Sequence, residues 1–125
     1  MNSYRDLIVW QKAVELAISI YRLTRMFPKT EMYGLASQMQ RAAVSVPSNI
    51  AEGHGLKQTQ AYSRHLAIAS GSLAELETQL EISNRVGYLQ ANDLGLLAQA
   101  NEVGRILSGL RRSLREETYI LNPKS

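Results

Sequence analysis

SVPSNIAEGHG, residues 45–55, sets Pro47, Asn49, Gly53, His54 and Gly55 directly after a segment with helical spacing. Either a helix stops at the proline or it runs through it, and the fold follows from that choice. Reading backward from Ile50, the apolar positions Leu35, Met39, Ala42 or Ala43, Val46 and Ile50 recur three or four residues apart straight across Pro47. A proline inside a helix removes one hydrogen bond and costs about 3 kcal/mol, yet the apolar spacing does not slip. The pattern therefore predicts a kinked helix whose freed carbonyl is taken by a nearby Ser or Asn. It should end at Gly53–Gly55, where glycine accepts a left-handed cap.

Outward from this stretch the chain reads as three further helices. Residues 4–26 carry two adjacent stripes, Val9, Ala13, Leu16, Ile20 and Leu23 beside Trp10, Val14, Ala17 and Tyr21. Phe27–Pro28 ends that helix, since the residue before proline is pushed out of the α region, and Thr30 is placed to cap the next one, read as residues 31–54. Thr59 starts a third, residues 59–86, whose Tyr62, Leu66, Ala69, Leu73, Leu76 and Leu80 alternate spacings of four and three without a fault. Gly87 is its expected left-handed terminator, and Leu89 is placed to staple onto Leu94. The fourth, residues 92–118, repeats the pattern through Leu96, Ala100, Val103, Leu107, Leu110 and Leu114, leaving 119–125 as a flexible tail. The fold class is all-α, an antiparallel up-down-up-down four-helix bundle in one domain spanning residues 1–125. The doubled stripe on the first helix exceeds what such a core uses. A wider core would absorb it, and self-association is the favoured way to cover it.

A polar stripe runs beside the apolar one on the second helix: Gln38, Arg41, Ser45, Ser48 and Glu52, with Asn49 at its edge. The third helix carries a matching line through His65, Ser72, Glu75 and Gln79. Facing each other, the two lines would let Arg41 pair with Glu75 or Glu52 while Ser48 and Asn49 fill the remaining donors and acceptors. Three readings stay open: a solvated edge, a register-setting network at a bundle or subunit seam, and a ligand site.

Composition narrows the function classes. The 14 Lys and Arg against 11 Asp and Glu permit nucleic-acid contact without requiring it. With no cysteine there is no disulfide framework or thiolate metal site, which fits a reducing compartment, so a cytoplasmic location is expected. No run is long and apolar enough for a membrane span, and Asp6 interrupts any secretory signal, so the chain reads as soluble and unprocessed. His54 and His65 lack ligands at metal spacing, and no Glu-x-x-His pair exists for a di-iron bundle. No Arg precedes a His by the spacing of the HEPN ribonuclease motif. Ser48, Glu52 and His54 on a helix supply neither an oxyanion hole nor a strained nucleophile turn. The expectation is no enzyme, no metal and no cofactor.

The residues themselves resemble a known family. YRDLIVWQKA near the start, QMQRAAVSVPSNIAEGHG, and the run YSRHLAIASGSLAELETQLEISNRVGYL look like the four-helix-bundle proteins encoded in intervening sequences of bacterial large-subunit ribosomal RNA genes, a resemblance covering about residues 4–90. It departs at His54, a position where aromatics are also expected. The resemblance implies an up-down bundle assembling as a homopentamer. It also implies kinship to the accessory variability protein of diversity-generating retroelements, which binds nucleic acid and partners a reverse transcriptase.

Basic residues form two groups that suit phosphate contacts. Arg105, Ser108, Arg112 and Arg115 share one face of the last helix, and Arg22, Arg25 and Lys29 cluster at the end of the first. Residues 1–30 hold five basic against two acidic side chains, residues 59–90 two against three. Glu102, Glu116 and Glu117 would partly neutralise the last helix, and helix C-termini favour cations in any protein. No aromatic interleaving points to base stacking. Two readings result: a homo-oligomer that binds RNA or DNA, with a polymerase-type partner, or a protein-interaction scaffold with no nucleic-acid role.

Overall fold

The computed structural model describes residues 3–121, with side chains to Glu117. Four helices, α1 (Ile8–Thr24), α2 (Leu35–Gly55), α3 (Thr59–Arg85) and α4 (Gly95–Leu121), are joined through short 3-10 turns, and no strand occurs among the described residues. α1 packs on α2, α2 most extensively on α3, α3 on α4, and α4 closes back on α1. Short connections force sequential helices to be neighbours, and that order is the up-down bundle.

The core is made by the predicted stripes. Leu16 and Ile20 of α1, Met39, Val46 and Ile50 of α2, Leu66, Leu76 and Leu80 of α3, and Val103 and Leu107 of α4 are all but inaccessible to solvent. Each such side chain contributes about 1.5–3 kcal/mol by leaving water. α2 is continuous through Pro47, which is itself buried. The side-chain amide of Asn49 donates to the Ser45 carbonyl at 2.9 Å. The carbonyl that Pro47 frees is that of Ala43, and among the described side chains none donates to it, contrary to the expected rescue by Ser or Asn.

The helix ends differ from the periodic reading because local capping outweighs periodicity there. α1 begins at Ile8, since the Ser3 hydroxyl accepts from the Arg5 amide at 3.1 Å and holds Tyr4–Asp6 in a 3-10 turn. Thr30 caps nothing. It lies inside the turn Lys29–Glu31, and the neighbouring Glu31 carboxylate takes the amide of Leu35 at 3.3 Å, so α2 starts four residues later than predicted. Thr59 is the first residue of α3, but its hydroxyl does not cap it. Gly87 has φ +89° and closes α3 as predicted, with the Tyr88 amide bonded to the Ser83 carbonyl at 2.9 Å and the Gly87 amide to Asn84 at 3.1 Å. Leu94 is half exposed, and the entry to α4 is tied instead by the Asp93 carboxylate on the Gln90 amide at 2.8 Å. α4 continues to Leu121, and residues 122–125 of the expected tail lie outside the described residues.

The left-handed residue after α2 is Lys57, φ +55°, rather than any of the glycines. Gly53 is buried within the helix for another reason. A Cβ there would stand 2.7 Å from Cβ of His65 and 3.1 Å from Cδ1 of Tyr62, so glycine is what lets α2 and α3 approach at this level.

Candidate functional site

Two sites emerge on opposite flanks of α3. The first is the seam with α2, where Gly53 lets the backbones close and the polar stripes meet. His65 Nδ1 lies 3.0 Å from Asn49 Oδ1, Asn49 Nδ2 donates to Ser45 Oγ at 3.1 Å, and Ser45 Oγ reaches Ser72 Oγ at 2.8 Å. The Ser45 carbonyl can only accept, so it orients the Asn49 amide with nitrogen toward Ser45 and oxygen toward His65. His65 Nδ1 must then carry the proton it donates. Glu52 supports that tautomer from 3.6 Å. Beside it, the His54 ring sits edge-on to Tyr62 with centroids 5.6 Å apart, and burial raises the pKa of the Tyr62 phenol above its ordinary value.

Arg41, Ser48 and Glu75 take no part. Arg41 and Ser48 are exposed on the outer rim of α2, and Arg41 makes no ion pair among the described residues. Glu75 accepts only a long bond from Gln79 at 3.4 Å. The expected Arg41–Glu75 and Arg41–Glu52 pairs are therefore absent within this chain. The rotation of α2 that buries Val46 and Ile50 leaves the long arginine in water, where its charge is well solvated.

The second site lies between α3 and α4. There Ser70, Ala74, Gly104 and Ser108 are too small to fill the space between the helices, and a groove of about 660 Å³ opens along them. Arg105 and Arg112, two turns apart on α4, line it together with Asn101 and Glu77. Glu102, expected to neutralise this face, turns instead to Lys12 of α1 at 3.4 Å. Arg105, Arg112 and Arg115 make no ion pair among the described residues, and Arg115 is exposed without lining the groove. Arg22, Arg25 and Lys29 are likewise exposed at the far end of α1, without an ion pair among the described residues. The two basic groups do not form one surface: one flanks the middle of α4, the other crowns a bundle end.

The surplus apolar stripe of α1 divides. Ala17 is buried, Trp10 and Val14 are partly so, and Tyr21 is exposed. With Ile18, Val44 and Pro47, Val14 and Tyr21 line an open groove between α1 and α2 of about 340 Å³, which Arg22 and Arg25 border. Among the described residues no three His, Asp or Glu side chains gather at metal-binding distance, and no helix is long and apolar enough to cross a membrane.

Fold and sites together define a small all-α bundle with a hydrogen-bonded interhelical seam and a basic groove. Residues 5–109 match the family of 23S rRNA-intervening sequence proteins, and the chain belongs to that family. A similar solved structure is that of a Bacteroides thetaiotaomicron protein of unknown function from the S23 ribosomal protein family. It is 21% identical, with a TM-score of 0.77 over 84% of this chain and 96% of that one, and establishes the likeness of fold. No curated protein matches the chain.

Proposed function

We propose that this protein is a non-enzymatic, homo-oligomeric four-helix bundle of the cytoplasm that binds nucleic acid, RNA or DNA, through its basic surfaces, with a polymerase-type protein as partner. The observation that carries this reading is the α3–α4 groove. Two arginines without ion pairs among the described residues face an open channel whose walls also hold Ser70, Ser108 and Asn101, the small Ala74 and Gly104, Leu73 and one carboxylate, Glu77. Guanidinium groups seven residues apart on a helix stand about 10 Å from each other at 1.5 Å rise per residue, a separation that suits phosphates along one strand. The family's name ties its members to an intervening sequence of ribosomal RNA, which favours a nucleic-acid setting.

The α1–α2 groove supports self-association, because Val14, Ile18, Tyr21 and Val44 form a joined apolar strip that a second protomer would remove from water. In the homopentamer implied by the family resemblance, each basic groove recurs five times and weak phosphate contacts add as avidity. His65, Asn49, Ser45 and Ser72 spend their hydrogen bonds on one another along the α2–α3 seam, which supports a structural use of these side chains and a binding role over catalysis.

The competing reading is a protein-interaction scaffold, favoured by Glu77 in the groove wall, which opposes phosphate. Binding of RNA and DNA measured against salt separates the two. Affinity for duplex should fall steeply with salt, and Arg105→Ala with Arg112→Ala should flatten the log–log slope by about 1.8. An unchanged slope in the double variant, or binding indifferent to salt, would leave the scaffold.

A further inference from the structure

The connection between α1 and α2 is anchored twice. Phe27 is buried with its ring 5.0 Å from that of Tyr88, and the Tyr88 hydroxyl donates to the Glu31 carboxylate at 2.8 Å. That hydrogen bond, ahead of partial burial, raises the Tyr88 pKa above its ordinary value. The same carboxylate accepts the Leu35 amide at 3.3 Å. A segment held this firmly nevertheless turns Tyr33 out of the bundle, 92% exposed, with Met26 at 83% beside the end of α1.

Both signs of charge occur at this end, and the cations are the more exposed. Arg22 and Arg25 end α1 and Lys29 lies in the connection itself, all three exposed and without ion pairs among the described residues. The carboxylates at this end are held in place: Glu31 by Tyr88 and Leu35 and Asp93 by the Gln90 amide, both keeping their charge, and Glu81 by Arg85 at 2.8 Å, which neutralises it. An open aromatic face on a rigid support, in the same short connection as the exposed Lys29, has the chemistry that takes an unstacked base and a flanking phosphate.

We propose that Tyr33 is a stacking platform for one unpaired base of a single-stranded nucleic-acid segment, whose flanking phosphate is held by Lys29 of the same connection. This rests on the nucleic-acid reading above and deepens it, assigning the bundle end to single strands while the α3–α4 groove tracks a phosphate backbone of either form. A duplex end keeps its bases stacked inside the helix and leaves Tyr33 little to grip.

The test measures fluorescence anisotropy of a labelled unstructured twelve-nucleotide RNA and of a duplex of the same length, with the wild type, Tyr33→Ala and Tyr33→Phe. Tyr33→Ala should weaken single-strand binding about fivefold or more, leave duplex binding unchanged, and be rescued by Tyr33→Phe, which keeps the ring. Equal losses on both nucleic acids, or no loss, would overturn the stacking site while leaving the groove reading intact. Failure of the wild type to bind either one would overturn both. Sizing of each variant supplies an independent check: if Tyr33→Ala splits the oligomer, Tyr33 belongs to a protomer contact and the proposal falls.

Discussion

α3 meets α2 and α4 through small residues on both flanks, and the results are opposite. Against α2, Gly53 admits the backbone of the neighbour so closely that a methyl group would collide with Cβ of His65. Against α4, Gly104 faces Leu73 with room for a Cβ at 3.4 Å, and the gap widens into the groove lined by Ser70, Ala74 and Ser108. Small side chains permit close approach without compelling it. On the first flank the approach is enforced by a run of hydrogen bonds, His65 to Asn49 to Ser45 to Ser72, that can form only at one separation and register. On the second flank no such bonds among the described residues draw the helices together, and the arginines of α4 prefer water.

Substitutions in the two flanks should therefore part company. Gly53→Ala is expected to cost about 1–3 kcal/mol through overpacking, read as a lower urea midpoint, despite the better helix propensity of alanine. Asn49→Ala should cost about 1–2 kcal/mol, because His65 and Ser45 lose their shared partner in a half-buried place. Loss of less than about 0.5 kcal/mol in that variant would reduce the seam to a solvated edge. Gly104→Ala, the counterpart on the open flank, should gain about 0.5–1 kcal/mol from propensity alone, and a loss there would mean the groove is tighter than its geometry indicates. Arg41→Ala should lie within about 0.5 kcal/mol of the wild type. A larger drop, growing as protein concentration falls, would put Arg41 at a contact between protomers.

Much of this was legible in the sequence because it is periodic. Leu66, Ala69, Leu73, Leu76 and Leu80 had to share a face of any helix built from them, and all five are buried. The unbroken spacing across Pro47 likewise announced a single helix. Helix ends were less legible, since they turn on one side chain each: Ser3 captured the Arg5 amide, and Glu31 rather than Thr30 served α2. The polar seam was half legible. Ser45, Asn49, His65 and Ser72 meet as facing stripes, but Arg41 and Glu75 stand a fraction of a turn too far out. Tyr33 was passed over because it belongs to no stripe. Its signal was an aromatic residue in a turn flanked by Lys29 and Gly34, which a search for helical interleaving does not register.

The order of apolar and polar residues along this chain determined that it would make four amphipathic helices with one buried face apiece, since that face follows from 3.6 residues per turn and nothing beyond the neighbourhood of each residue. Only the packed bundle decided which small residues mark a close crossing and which a groove, and which charges are paired. Those outcomes depend on the rotation and separation of helices distant in sequence. They are set by how the whole core fills its volume, so no local spacing encodes them.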